Sequence, residues 1–128
     1  MSHPLRAAIE TDDLDAVGAL LADDVIFRSP AVHRPYHGRE TVVALLAVVA
    51  RVFENFRYVD EWHDGATTIL CFEASVGDRE LQGVDILEDG ADGLVQSFTV
   101  MIRPLSGLQA LAAAVAARMQ IEAQVEGP

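Results

Sequence analysis

The side chains of this chain that can move a proton or hold a metal are few, and they fall in a handful of places. Asp85 stands in Gly83-Val84-Asp85-Ile86-Leu87, a lone carboxyl in an apolar run. Turned inward and stripped of water, such a group titrates higher than usual and can give or take a proton near neutral pH. His33 and His37, with Tyr36 between them, lie in the Pro- and Gly-bearing segment Ala31 to Gly38. Histidine titrates near neutrality, and His33 is the acid/base partner expected for Asp85. A His-x-x-x-His pair with no cysteine and no third close ligand is not a zinc set. Ser29, just before Pro30, offers a hydroxyl but no base to activate it as a nucleophile. The aspartates between 89 and 93 lack the alternation and the distant glutamate of a calcium loop and make a turn. His63, ahead of Asp64-Gly65, belongs to a hairpin end. No metal or organic cofactor is implied, because proton transfer needs only a placed acid and base in a dry site.

Composition narrows the classes. The 128 residues are one domain's worth of chain, read here as a single domain over 1–128, and 51% of them are apolar, which excludes global disorder. The longest apolar stretch, Val42 to Ala50, is half of the roughly 18 residues that a membrane span needs. Glu10, Asp12 and Asp13 interrupt any signal-peptide core after Arg6, so a cytoplasmic protein is expected. A formal charge of −11 argues against nucleic acid, whose counterions only a cationic surface displaces. All nine basic residues are arginines, so Schiff-base chemistry and a phosphate-gripping P-loop lysine are excluded. The single cysteine, Cys71 in Ile69-Leu70-Cys71-Phe72, excludes an internal disulfide and reads as a small apolar residue with an inert thiol.

The elements that must position these residues follow from periodicity. Pro4 suits a first helical position, and a short helix runs to about Glu10. Asp12 reads as the N-cap of a second helix, in which Leu14, Val17, Leu20 and Leu21 recur at helical spacing through Asp23. Val25 to Ser29 is a strand stopped by Pro30, and Ala31 to Gly38 is a loop. Gly38 to Asn55 is a helix apolar nearly all round, which implies cover on several sides by a curved sheet. Arg57 to Asp64, Ala66 to Val76, Arg79 to Glu88 and Leu94 to Arg103 are strands, separated by glycine-bearing turns in the manner of an antiparallel meander. After Pro104, Leu105, Leu108, Leu111, Val115 and Met119 mark a closing helix, and the last few residues are expected to fray. The order is helix, helix, strand, helix, four strands, helix. On the third long strand Leu81, Gly83, Asp85 and Leu87 alternate with Gln82, Val84, Ile86 and Glu88. The second of these faces, with Met101 beside it, suits a subunit interface, and a homodimer built through the sheet is expected.

With these elements in order, Ala22-Asp23-Asp24-Val25-Ile26-Phe27, Tyr36-His37-Gly38-Arg39-Glu40, Gly83-Val84-Asp85, Asp92-Gly93 and Val100-Met101-Ile102-Arg103-Pro104-Leu105 resemble the SnoaL-like branch of the nuclear-transport-factor-2-like superfamily. The resemblance covers nearly the whole chain. It implies an α+β fold in which a cone-like curved antiparallel sheet wraps a long helix around an apolar pocket. Asp85 would then face that pocket. Phe27, Ser29, Tyr36, Phe53, Trp62, Phe98 and Val100 would line it and meet a small apolar ligand.

The superfamily hosts isomerases, cyclases, hydrolases, dehydratases and non-catalytic binding proteins, so the fold does not choose among them. Laid on the similar ketosteroid isomerases, the oxyanion tyrosine falls at Leu5 and the general-base aspartate at Ser29, while the aspartic acid of the oxyanion hole falls at Asp85. Neither leucine nor an unassisted serine can do the work of the residue it replaces. The Arg-x-Asp motif of limonene epoxide hydrolase would fall near Cys71-Phe72-Glu73, losing the arginine, and its second aspartate near Val100. Two functions stay open. One is an acid/base isomerase, cyclase or dehydratase acting on an apolar substrate. The other is a ligand-binding or protein-interaction module of the same fold without chemistry.

Overall fold

The computed structural model describes residues 2–125, with side chains through Gln120. The fraying expected at the end of the chain falls partly on residues 126–128, outside the described residues. The order is α1 (Pro4–Glu10), α2 (Leu14–Leu20), β1 (Leu21–Arg28), β2 (Tyr36–His37), α3 (Arg39–Val52), β3 (Glu54–Asp64), β4 (Thr67–Val76), β5 (Arg79–Asp89), β6 (Val95–Arg103) and α4 (Leu105–Val125). The α+β class and the element order agree with expectation, with the short strand β2 added where only a loop was expected. No described helix is long and apolar enough to cross a membrane.

The six strands form one curved, unclosed sheet in the order β2-β1-β6-β5-β4-β3. The meander β3 to β6 pairs antiparallel throughout, as its tight turns require. The expected curved antiparallel sheet is present, with one parallel seam. β1 runs parallel to β6, with Phe27 opposite Phe98. No hairpin joins these two strands, so no turn fixes their relative direction, and the sheet is mixed.

Local chemistry sets the element ends. His3 caps α1: its ring Nδ1 accepts the Leu5 N–H at 3.1 Å, which leaves the proton on Nε2, 3.0 Å from a carboxylate oxygen of Asp89. Asp13, not Asp12, caps α2 by accepting from the Ala16 N–H, and Asp12 occupies a left-handed turn at φ 53°. α3 ends at Val52 rather than Asn55. Asn55 takes φ 54°, a conformation that asparagine tolerates, and begins a bulge in β3.

A second irregularity in β3 decides which side chains face inward. Tyr58 pairs with Phe72, but Asp60 pairs with Cys71, so Val59 is inserted and the alternation flips. Before it, Phe56 and Tyr58 face the helices; after it, Glu61 does, and Trp62 turns outward. α3 is likewise less covered than its all-round apolar sequence predicts. Val42 and Val48 are buried, but Leu45, Leu46 and Val49 are half-buried because they border an open cavity instead of a solid core.

Candidate functional site

Between the inner face of the sheet and helices α3 and α4 lies a cavity of about 470 Å³. Its deep wall is aromatic. The Phe56 and Phe72 ring centroids are 5.0 Å apart, Phe56 and Tyr58 meet edge to face at 5.0 Å, and Phe53 lies 5.3 Å from Phe56. Phe27 and Phe98 pair at 5.1 Å on the far side. Gly83 makes this wall possible, because a Cβ there would strike the Phe72 ring. Exposed lining residues form the mouth: Glu10, Asp12, Ala31 and Val32, with Ala50 from α3 and Ala116 and Met119 from α4.

Asp85, in the middle of β5, lines the cavity and is 5% exposed. The Tyr58 hydroxyl donates to its Oδ2 at 2.6 Å and is its one hydrogen-bond partner among the described residues. Burial pushes the Asp85 carboxyl up to about 7, and the Tyr58 hydrogen bond offsets only part of that rise. Tyr58 is itself raised well above its usual value, first by burial and then by the Asp85 charge, so it stays a neutral phenol. The pair is one titrating carboxyl with a hydroxyl beside it that can donate to the ionised form or accept from the protonated one.

The other expected residues divide by position. Phe27, Ser29, Tyr36, Phe53, Phe98 and Val100 all line the cavity. Trp62 does not; the bulge at Val59 turns it to the opposite face, where it is 53% exposed. His33 is exposed and is not part of the cavity lining, because the 31–35 segment turns it to solvent. His37, opposite Ile26 at the sheet edge, is exposed too. The Ser29 hydroxyl oxygen accepts from the Ala31 and Val32 N–H groups, so its lone pairs are committed to the turn. Leu5 is fully buried in the core, away from the cavity. Glu73 is on the outer face, held by Arg57 and Gln82, which removes it from any inward carboxylate network. Among the described residues no cluster of three or more His, Cys, Asp or Glu is arranged to hold a metal.

Tyr58 is the residue that sequence reasoning missed. Its two-residue spacing from Phe56 places both on one strand face and could have flagged it. Its meeting with Asp85, 27 positions away, depends on two hairpin registers.

A model of the SnoaL-like domain matches residues 5–97. A solved steroid delta-isomerase from Pseudomonas aeruginosa is 41% identical, with 91% of this chain and 86% of that one covered and a TM-score of 0.87. An uncharacterised bacterial protein with a cystatin-like fold from Silicibacter pomeroyi is 34% identical over 94% and 86% of the two chains, at a TM-score of 0.89. A Catenulispora acidiphila protein of ketosteroid isomerase-like fold, solved with trimethylamine, is 17% identical over 86% and 89%, with a TM-score of 0.64, and shares the fold alone. No curated protein matches the chain.

Proposed function

From the premise that this chain belongs to the SnoaL-like domain family, we propose that it binds a small apolar molecule in its cavity and moves a proton on it through Asp85. The observation that carries this reading is the Tyr58–Asp85 hydrogen bond at the cavity wall, where a carboxyl that titrates near 7 has a single partner. A group of that pKa is half ionised at neutral pH and serves both halves of a proton shuttle: it takes a proton from one carbon and returns it to another. Tyr58 steadies the ionised form throughout. Enolisation, allylic isomerisation and cyclisation share this step. The likeness to a steroid delta-isomerase favours it over hydrolysis, which needs a water-activating network.

The test is solvent deuterium incorporation into an apolar cyclic β,γ-unsaturated ketone, with isomerisation followed by ultraviolet absorbance. Exchange well above background that falls at least a hundredfold in Asp85→Asn is expected. Exchange equal in the two proteins would refute the reading.

A second reading, ligand binding without chemistry, is favoured by Leu5 and by Ser29, whose lone pairs are committed to the turn; the two leave the cavity without a second acid/base group of the isomerase kind. It predicts ligand affinity with no exchange in either protein.

The same proposal includes assembly and location. The outer sheet face carries the cross-strand rows Trp62-Ile69-Ile86-Thr99 and Asp60-Cys71-Val84-Met101, with Trp62 and Met101 more than half exposed. Such a patch suits a second copy of the chain, working in the cytoplasm on a small molecule rather than on nucleic acid. Light scattering at micromolar concentration should give a dimer that Met101→Glu converts to monomer; a monomeric parent protein contradicts this.

A further inference from the structure

The charge of the cavity wall narrows the ligand further. Among the described residues lining it, the ionisable side chains other than the two tyrosines are Glu10, Asp12 and Asp85, and none is basic. We propose that the polar end of the ligand is a cation, a tertiary or quaternary ammonium on an apolar body, seated among Phe53, Phe56, Tyr58 and Phe72 against Asp85. This rests on the cavity reading above and names the class of molecule that enters.

Three observations converge on it. The rings of the deep wall form one continuous cluster whose centroids lie 5.0 to 5.8 Å from their neighbours, around a space that a compact cation can share. An ammonium within about 6 Å of several ring centroids is held by their quadrupoles, most strongly where water is excluded. The carboxyl at the same wall has one neutral partner, the Tyr58 hydroxyl, so its ionised form lacks the counter-charge that a buried carboxylate needs. Anions meet the opposite situation: three carboxyl groups along the wall and none of the arginines of the chain.

The cation that stacks on the Tyr58 ring does not substitute. The Arg6 guanidinium lies 5.9 Å from the Tyr58 ring centroid, but it is committed to Glu61 at 3.1 Å and to Glu10 at 3.6 Å. From β4, β6 and α4 the cavity receives only apolar side chains: Phe72, Val100, Ile102, Leu111 and Val115 among them. On the outer face of β4 the Cys71 thiol is raised by burial and then by the charges of Asp60 and Asp85. On the cavity side, Tyr58 from β3 and the two carboxylates at the mouth are the other ionisable groups near Asp85. An ammonium bound there holds Asp85 ionised, the state in which it accepts a proton.

Three probes of matched shape test the assignment by competition with an apolar fluorescent dye: benzyltrimethylammonium, its neutral carbon isostere neopentylbenzene, and phenylmethanesulfonate. At pH 8 the ammonium is expected to bind at least tenfold more tightly than the isostere, and the sulfonate not at all. The quaternary cation has no proton to lose, so a rise in its affinity of several-fold between pH 6 and 8, absent for the isostere, reports Asp85 alone. Asp85→Asn should abolish the preference while leaving the isostere within twofold, and Phe56→Leu should weaken the ammonium more than the isostere. An isostere that binds as well as the ammonium in the parent protein overturns this inference and leaves the proposed function standing. Failure of all three probes to bind the parent protein removes both.

Discussion

Glu61 and Asp85 face inward from the same cross-strand row, separated only by Leu70 on β4, yet they titrate in opposite directions. Burial works against the ionised form of both. At Glu61 it is overcome by donors from three residues, the His3 backbone N–H at 2.7 Å, Arg6 at 3.1 Å and the Ser2 hydroxyl at 2.9 Å, with the His63 ring 2.7 Å away as an ion-pair contact. They hold Glu61 at about 2. Asp85 has one hydroxyl and a cavity, and it rises to about 7. Depth decides that a carboxyl will be perturbed, and the number of donors decides the direction. The satisfied group ties the N-terminus and α1 to the sheet. The unsatisfied one faces the space where a ligand sits.

The contrast is broken most severely at Glu61. Glu61→Ala strips three donors of their acceptor and frees α1 from β3, and urea unfolding at pH 7 should show a loss of about 3 kcal/mol. A loss under about 1 kcal/mol would mean that the clamp does not hold the helix.

The next effect has the opposite sign. The folded pKa of Asp85 lies above that of the unfolded chain, so folding takes up a proton between about pH 4 and 7 and stability from this group falls across that window. Asp85→Asn removes the dependence. The variant should match the parent protein near pH 4 and exceed it by about 2 kcal/mol at pH 8, a figure reduced from the full linkage value because an open cavity admits water. For Glu61 the folded value is the lower one, so its contribution is complete above about pH 4.5 and is lost as the pH falls toward 2. Both departures from the parent therefore grow as the pH rises, but with opposite signs and over separate windows, about 2 to 4.5 for Glu61→Ala and about 4 to 7 for Asp85→Asn.

The smallest effect belongs to a residue that resembles a catalytic partner only in sequence. His33 is exposed and outside the cavity lining, so His33→Ala should leave ligand affinity and exchange rate within about twofold. A tenfold loss would require the 31–35 segment to fold inward over a bound ligand.

How much of this could be read from the chain follows from the range of each signal. The glycine-bearing turns that separate the strands of the meander are local signals, whereas the inward position of Asp85 was an implication of the family resemblance. Phe27, Phe53, Phe98 and Val100 lie on the cavity as the family resemblance implied. Trp62 was lost to one inserted residue, Val59, which no composition or spacing rule announces. The direction of β1 against β6 and the Tyr58–Asp85 contact depend on how distant segments meet, and so does the His3–Glu61 clamp. Those are fixed by packing after the strands have formed.

Everything chemical here depends on the ionisation of one carboxyl, and NMR titration of ¹³C-labelled aspartate in the ligand-free protein reads it. A midpoint for Asp85 near 7, rising further in Tyr58→Phe as the lowering hydrogen bond is removed, is the expected result. A midpoint near 4, unmoved by Tyr58→Phe, would mean a carboxylate solvated like any other and would contradict the role assigned to it.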